Sequence, residues 1–331
     1  MKKAELLIAS HRYENEKKYW LEKLGGELNI CNFPFESEKD IFKEPVYEKE
    51  EFVFPNEINN RIIQMSNNSD NLLLTILVSS IELLLNKYTS QKDILIGMPI
   101  FKQNKDGDFI NTSVVLRDLI SSKYTFKDIV LNCQNTIKEA IKNQNFPLSS
   151  VLNDLNIKNN NSKGAIFNIA VLLKNVQHIS YIEDTKSNII FSFNRNNDQV
   201  VECEVLFNSN LYTNECIRDY FKNYFELLEG ILFNVDEEIK NIEFISNEER
   251  TKLLVDFQKH RDLDELLSIQ DYVERYAELF ANKTAIEYEG DLISYEMLNA
   301  KVNQIAYYLE QKELKENMLV GLVMERTPIL L

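Results

Sequence analysis

Eight glycines and six prolines are all that punctuate 331 residues, too few to mark the turns of a chain this long. Asparagine is abundant instead, and its tolerance of hydrogen-bonded and left-handed turns makes Asn clusters the main turn signals. Cysteine occurs four times, at Cys31, Cys133, Cys203 and Cys216, with no C-x-x-C spacing. The amino terminus carries no secretory n-region and h-region, so free thiols in a reducing cytoplasm are expected. No apolar run reaches the ~20 residues of a membrane span; the longest, Leu72 to Leu85, has Glu82 in its middle. Thirty-seven Lys and Arg against 52 Asp and Glu leave a net charge of −15. Basic pairs such as Lys17-Lys18 sit among glutamates, which argues against nucleic acid, whose phosphates need clustered cations.

Reactive motifs are missing too. The three histidines, His11, His178 and His260, are far apart, with no H-x-x-x-H or H-E-x-x-H pairing. There is no G-x-S-x-G elbow, no phosphate loop G-x-x-x-x-G-K-[ST] and no G-x-G-x-x-G. Asp106 and Asp108 flank a glycine but lack the other ligands of a calcium loop, and mark a turn. No catalytic, cofactor-binding or metal-ligating residue is assigned on these grounds.

What is present is a globular pattern, 44% hydrophobic and 11% aromatic, long enough for two domains. Periodicity predicts an amphipathic helix over 3–24, stopped by Gly25-Gly26 and anchored by Trp20, the only tryptophan. A short strand at Phe52 to Phe54, a helix from Asn56 and a helix over 72–88, apolar nearly all round, follow. Strands are expected at 93–99, 109–116, 166–173, 188–194 and 199–207, with helices at 126–143, 147–155 and 212–233. Residues 156–164 read as a polar loop. Strands separated by helices in mixed order give an α/β fold, a mixed sheet covered by helices. A charged, helical linker is expected over 234–263. A second unit starts near Leu263: a helix to about Ala281, a hairpin of 284–288 and 292–294 around Glu289-Gly290-Asp291, a helix over 295–312 and a strand over 318–324.

The ordered segments resemble part of a nonribosomal peptide synthetase. Tyr19-Trp20 with Leu24-Gly25 resembles the entry between the halves of its condensation domain. Leu83 to Thr89, followed by Asp93 to Pro99, is similar to L-L-x-R-Y-T…D-I-x-x-G-x-P. Gly107 to Thr112 matches G-x-F-V-N-T, and Asn143 to Leu148 stands where the family has H-Q-D-x-P-F. Ile242 to Glu249 resembles the domain exit. Ile293 to Leu298 is similar to the adenylation domain's L-T-Y-x-E-L, and Val320-Gly321-Leu322 with Glu325-Arg326-Thr327 to its V-G-I…R-S.

The resemblance implies a partial, carboxy-terminal half of a condensation domain over 1–241, like the matching subdomain of the chloramphenicol acetyltransferase fold. A linker over 242–262 and an incomplete α/β adenylation (AMP-binding) start over 263–331 would follow. It implies peptide-bond formation between carrier-bound substrates and ATP-dependent amino-acid activation in the intact enzyme, with carrier domains and aminoacyl or peptidyl thioesters as partners. ATP, Mg²⁺ and phosphopantetheine are cofactors of the intact enzyme, and none is expected on this chain. Departures are specific. The catalytic H-H-x-x-x-D-G is absent, and Asn143 and Asn145 replace a histidine and a carboxylate. The loop between Pro99 and Gly107 is shorter than is usual in the family. Arg117 follows Asn111 by six residues where the family usually has five; a one-residue slip turns a side chain to the other face unless a bulge absorbs it. Asn111 and Thr112 read as organisers of a strand end, and Tyr295 as a packing residue. The isolated chain is therefore expected to be inactive and to self-associate through an apolar face left open. Two other readings are a non-catalytic docking half-domain that supports an adenylation domain, and a coenzyme A-dependent acyltransferase, which would need the same missing histidine.

Overall fold

Strands rich in Ile, Val, Leu and Phe pair into one six-stranded sheet in the computed structural model, which describes residues 13–35, 44–103, 110–156, 166–245 and 268–312 and a few positions beside them. The first of two compact units, Met1–Arg250, holds that sheet. In chain order it contains α1 (Glu14–Leu24), β1 (Tyr47–Val53), α2 (Asn56–Met65), α3 (Asp70–Thr89), β2 (Asp93–Pro99) and β3 (Ser113–Leu119). Then come α4 (Phe126–Lys142), α5 (Leu148–Asp154), β4 (Ile169–Leu173), β5 (Ile189–Arg195), β6 (Val201–Asn208) and α6 (Asn214–Phe233).

The strand order is β1-β6-β5-β4-β2-β3, with β2, β4 and β5 parallel and the remaining neighbours antiparallel. The central strands are buried on both faces, which is why they read as continuous apolar runs rather than alternating ones. At one edge, β1 carries Glu48, Lys49, Glu50 and Glu51, charges that discourage pairing with another sheet. Its span of seven residues is longer than the three expected: the full register with β6, Tyr47 opposite Asn208 to Val53 opposite Glu202, overrides its poor strand composition.

α3 is the central helix. Ser69 caps it by accepting from the Leu72 amide, and Ser90 ends it in the left-handed region at φ 58°. Among the described residues it is the one helix apolar and long enough to cross a membrane, but 72% of its most apolar window is buried inside the protein. It is a core helix. At its carboxy end Lys87 donates to the carbonyls of Ile239 and Ile242 at 2.6 and 2.7 Å. Burial lowers the pKa of that ammonium. Ile239 and Ile242 are buried, so the start of the expected linker packs as part of this unit, with a short helical turn at Ile239–Asn241.

β3 begins at Ser113, not at 109, and the Asn111 side chain just before it is bonded to the α4–α5 turn. Gly97 on β2 is required by a close approach: a Cβ there would overlap the buried Phe167 ring.

The second unit, Thr251–Leu331, contains α7 (Ile269–Leu279), the hairpin β7 (Thr284–Tyr288) and β8 (Asp291–Ser294), and α8 (Tyr295–Glu310). Glu289 and Gly290, at φ 52° and 91°, make the tight two-residue turn that such a hairpin prefers. Tyr295 packs on Tyr276, ring centroids 5.8 Å apart. A strand over 318–324 is not found: residues 318–321 and 323 are described and lie in none. His11 and His260, Gly107 to Phe109, most of the 156–164 loop and Glu325-Arg326 lie outside the described residues.

Gly97→Ala is expected to destabilise the first unit by about 1–3 kcal/mol through overpacking, read as a lower urea midpoint. Phe167→Leu in the same background should recover part of that loss.

Candidate functional site

A cavity of about 290 Å³ opens where β3, α5 and the entry to β4 converge, lined by Asn111, Val115, Leu148, Phe167 and Tyr181 among others. Its architecture depends on Asn111. The Asn111 side-chain amide donates to the carbonyls of Gln144 and Phe146, both at 2.6 Å, and its Oδ1 accepts from the Leu148 amide at 3.2 Å. That amide opens α5, where the first N–H groups of a helix have no internal partner. One side chain from the strand entrance thus binds the α4–α5 turn and caps α5 from outside. The two segments matching G-x-F-V-N-T and H-Q-D-x-P-F are joined here.

Of the two replaced positions, Asn143 has a structural side chain, while that of Asn145 is exposed. Asn143 is buried, donates to Glu139 O at 2.8 Å and offers its own carbonyl to the Trp20 indole at 2.7 Å. Glu16 accepts from the Asn145 amide, and Lys17 pairs with Asp154 at 2.7 Å. Trp20 therefore anchors α1 to the α4–α5 turn. Tyr181 is the only ionisable side chain in the described lining, which holds no histidine, carboxylate or lysine as a general base. His178 stands in the preceding turn against Tyr181, ring centroids 5.4 Å apart.

Arg117 does not face the cavity. Its guanidinium binds Asp93 through Nε at 2.9 Å and Nη2 at 2.6 Å, and caps the end of α1 through the carbonyls of Lys23, Gly25 and Glu27. The slip relative to the family's spacing leaves Arg117 a brace between β2, β3 and the chain leaving α1.

One group of metal-ligand side chains occurs among the described residues: Glu82, Asp118 and Cys133, within 4.8 Å of one another and buried. Burial raises the Cys133 thiol well above its ordinary value, and the Lys23 ammonium sits 3.9 Å from Asp118. A protonated thiol and a resident cation suit a proton at this spot better than a metal. The four cysteines are free.

A condensation-domain family model matches residues 2–254. The chain belongs to that family. Gramicidin S synthase 2 of Brevibacillus brevis is 23% identical over 347 residues, 98% of this chain and 8% of that protein. Tyrocidine synthase 2 of Brevibacillus parabrevis is 23% identical over 337 residues, 95% of this chain and 9% of that protein. The chain thus spans less than a tenth of the length of these curated relatives. Among solved structures, the X-domain from teicoplanin biosynthesis superposes with a TM-score of 0.59 at 14% identity, covering 72% of this chain and 60% of that one. A four-domain nonribosomal peptide synthetase bound to AMP and glycine superposes at 0.64 and 11% identity, covering 93% of this chain and 26% of that one. These likenesses establish the mixed, helix-covered sheet as the condensation-domain fold.

Sequence reasoning named Asn111 as an organiser but missed its partners, which lie 33–37 residues away. It also missed the pair of Glu82 and Asp118. A charged residue inside the apolar run 72–85 was the available signal.

Asn111→Ala should leave two carbonyls and one amide unpaired and cost about 1–3 kcal/mol, with faster hydrogen exchange at the Leu148 amide. Asn111→Asp should be no better, because its carboxylate would face the Gln144 and Phe146 carbonyl oxygens.

Proposed function

We propose that this chain is the second half of the condensation domain of a nonribosomal peptide synthetase, followed by the opening of an adenylation domain. Its role in the complete assembly is peptide-bond formation between carrier-bound substrates. The observation that carries this reading is the Asn111 junction, which joins two family segments at the mouth of the described cavity. The base-free lining fits a half-site: H-H-x-x-x-D-G, the proton-handling motif of the family, occurs nowhere in the 331 residues. The chain covers 55% of a solved starter condensation domain, a share that suits a half.

The adenylation reading draws support from beyond the family model's end at residue 254. Similarity to gramicidin S synthase 2 extends over 98% of the chain. The second unit also has little core of its own. Among its described residues Ala277 is the one buried apolar side chain, while Ile269, Leu292, Tyr308 and Leu319 are exposed. A segment of this kind reads as the opening of a larger α/β domain, whose remaining layers would cover it. In the intact enzyme ATP and Mg²⁺ would serve that domain, and phosphopantetheine would be carried by the carrier domains. The exposed apolar side chains of the first unit, such as Ile30, Val53, Leu119 and Phe233, come from separate elements.

The test is reconstitution. Purified chain, supplied with donor and acceptor carriers loaded as thioesters, should form no peptide product by itself. Adding a separately produced first half bearing H-H-x-x-x-D-G should yield peptidyl carrier, detected by intact-protein mass spectrometry. Product from the chain alone would overturn the half-site reading. No product with both halves present would favour the docking half-domain, which the base-free cavity also fits. Amino-acid-dependent ATP–pyrophosphate exchange is expected to stay at background, and turnover there would refute the incomplete adenylation start.

A further inference from the structure

α3 buries a carboxyl group that packing does not explain. Glu82 has no solvent exposure, and neither of its oxygens receives an N–H or O–H from elsewhere in the described residues. It faces Asp118 of β3, with the Cys133 thiol alongside, the three ligand atoms within 4.8 Å of one another. Asp118 is itself buried and only partly compensated. The Thr136 hydroxyl donates to its Oδ1 at 2.5 Å and the Lys23 ammonium lies 3.9 Å from the same oxygen, while Oδ2 has no donor outside the pair. Two carboxylates beside one ammonium would leave a buried charge with no counter-ion, which a folded core does not tolerate.

We propose that Glu82 and Asp118 share a single proton at neutral pH, Glu82 donating it to Asp118, and that Lys23 neutralises the one charge that remains. Held this way, the pair becomes a pH-sensitive attachment of α1 to the sheet. Lys23 reaches Thr136 at 3.3 Å and, three residues earlier on the same helix, Trp20 is locked to Asn143. Losing the proton would put two charges against one ammonium under that helix.

Among the described residues the surrounding groups offer no second cation. α1 presents Tyr19, Glu22 and Lys23 to this region; α4 presents Cys133, Thr136 and Glu139; Cys31 lies close enough to feel Glu82. Arg117 precedes Asp118 on β3 but is spent on Asp93 and the carbonyls beyond α1. Tyr19 is raised by burial, with Glu139 and Asp118 adding, and stays neutral. Burial raises Glu82 well above the usual carboxyl range, and the Asp118 charge adds to the effect. Burial raises Asp118 as well, opposed by Thr136, Lys23 and Glu82.

The sign follows from both carboxyls being raised in the folded chain. Their contribution to stability is complete below the unfolded-state values, about pH 4, and is lost as pH rises through the folded-state values.

Thermal unfolding of the full chain between pH 5.5 and 8.5 tests this, beside Glu82→Gln. The wild-type midpoint should fall by about 3–5 °C per pH unit as the Glu82 proton becomes harder to hold. In E82Q the amide donates to Asp118 without titrating, so the slope should flatten and the midpoint at pH 8.5 should exceed that of wild type. Infrared spectra of the wild-type chain in D₂O at pH 7 should show the C=O stretch of a protonated buried carboxyl, a readout that needs no variant to fold. An E82Q slope equal to that of wild type, the absence of that band, or one equivalent of zinc retained by the native chain would overturn the proposal.

Discussion

A single helix that is buried on nearly every side constrains the first unit. The middle of α3 is buried, and several of its polar residues find partners in a neighbouring layer. Ser80 meets the Tyr224 hydroxyl of α6 at 2.7 Å, Glu82 meets Asp118 of β3, and Lys87 meets the carbonyls at 239 and 242. Those contacts orient the helix against an otherwise featureless apolar wall. Removing one partner of such a contact leaves a buried polar group stranded, at a cost of about 1–3 kcal/mol or more if it is charged.

The same logic of paired polar groups builds the candidate site. Asn111, Trp20 and Arg117 each bind backbone atoms of distant segments, and together they set the positions of α1, α5 and the α4–α5 turn. None of them is a reacting group. The cavity they frame is partly polar, and among its described lining residues only Tyr181 is ionisable.

Much of this was legible in the chain itself. The strands at 169–173, 189–195 and 201–208 and the helices at 126–142 and 214–233 stand within a few residues of their expected places, because burial of a face imposes a period that composition displays. β1 was hard to read: its Glu and Lys residues hide a strand that exists through pairing with β6. β3 starts late, and Asn111 just before it serves contacts more than thirty residues away, which no local pattern encodes. The start of the charged stretch after 234 packs into the first unit through Ile239 and Ile242, apolar residues too sparse to show a period. The expected strand over 318–324 rested on composition alone, and no pairing partner for 318–321 appears among the described residues.

A core organised around α3 opens only when the whole condensation-family unit unfolds. Hydrogen exchange of α3 amides, measured across a urea titration alongside the fluorescence of Trp20, tests it most directly. Exchange over residues 73–85 that occurs only through global unfolding, with a Trp20 transition at the same midpoint, is the predicted result. Early exchange in α3, or a Trp20 transition well below the global one, would contradict it.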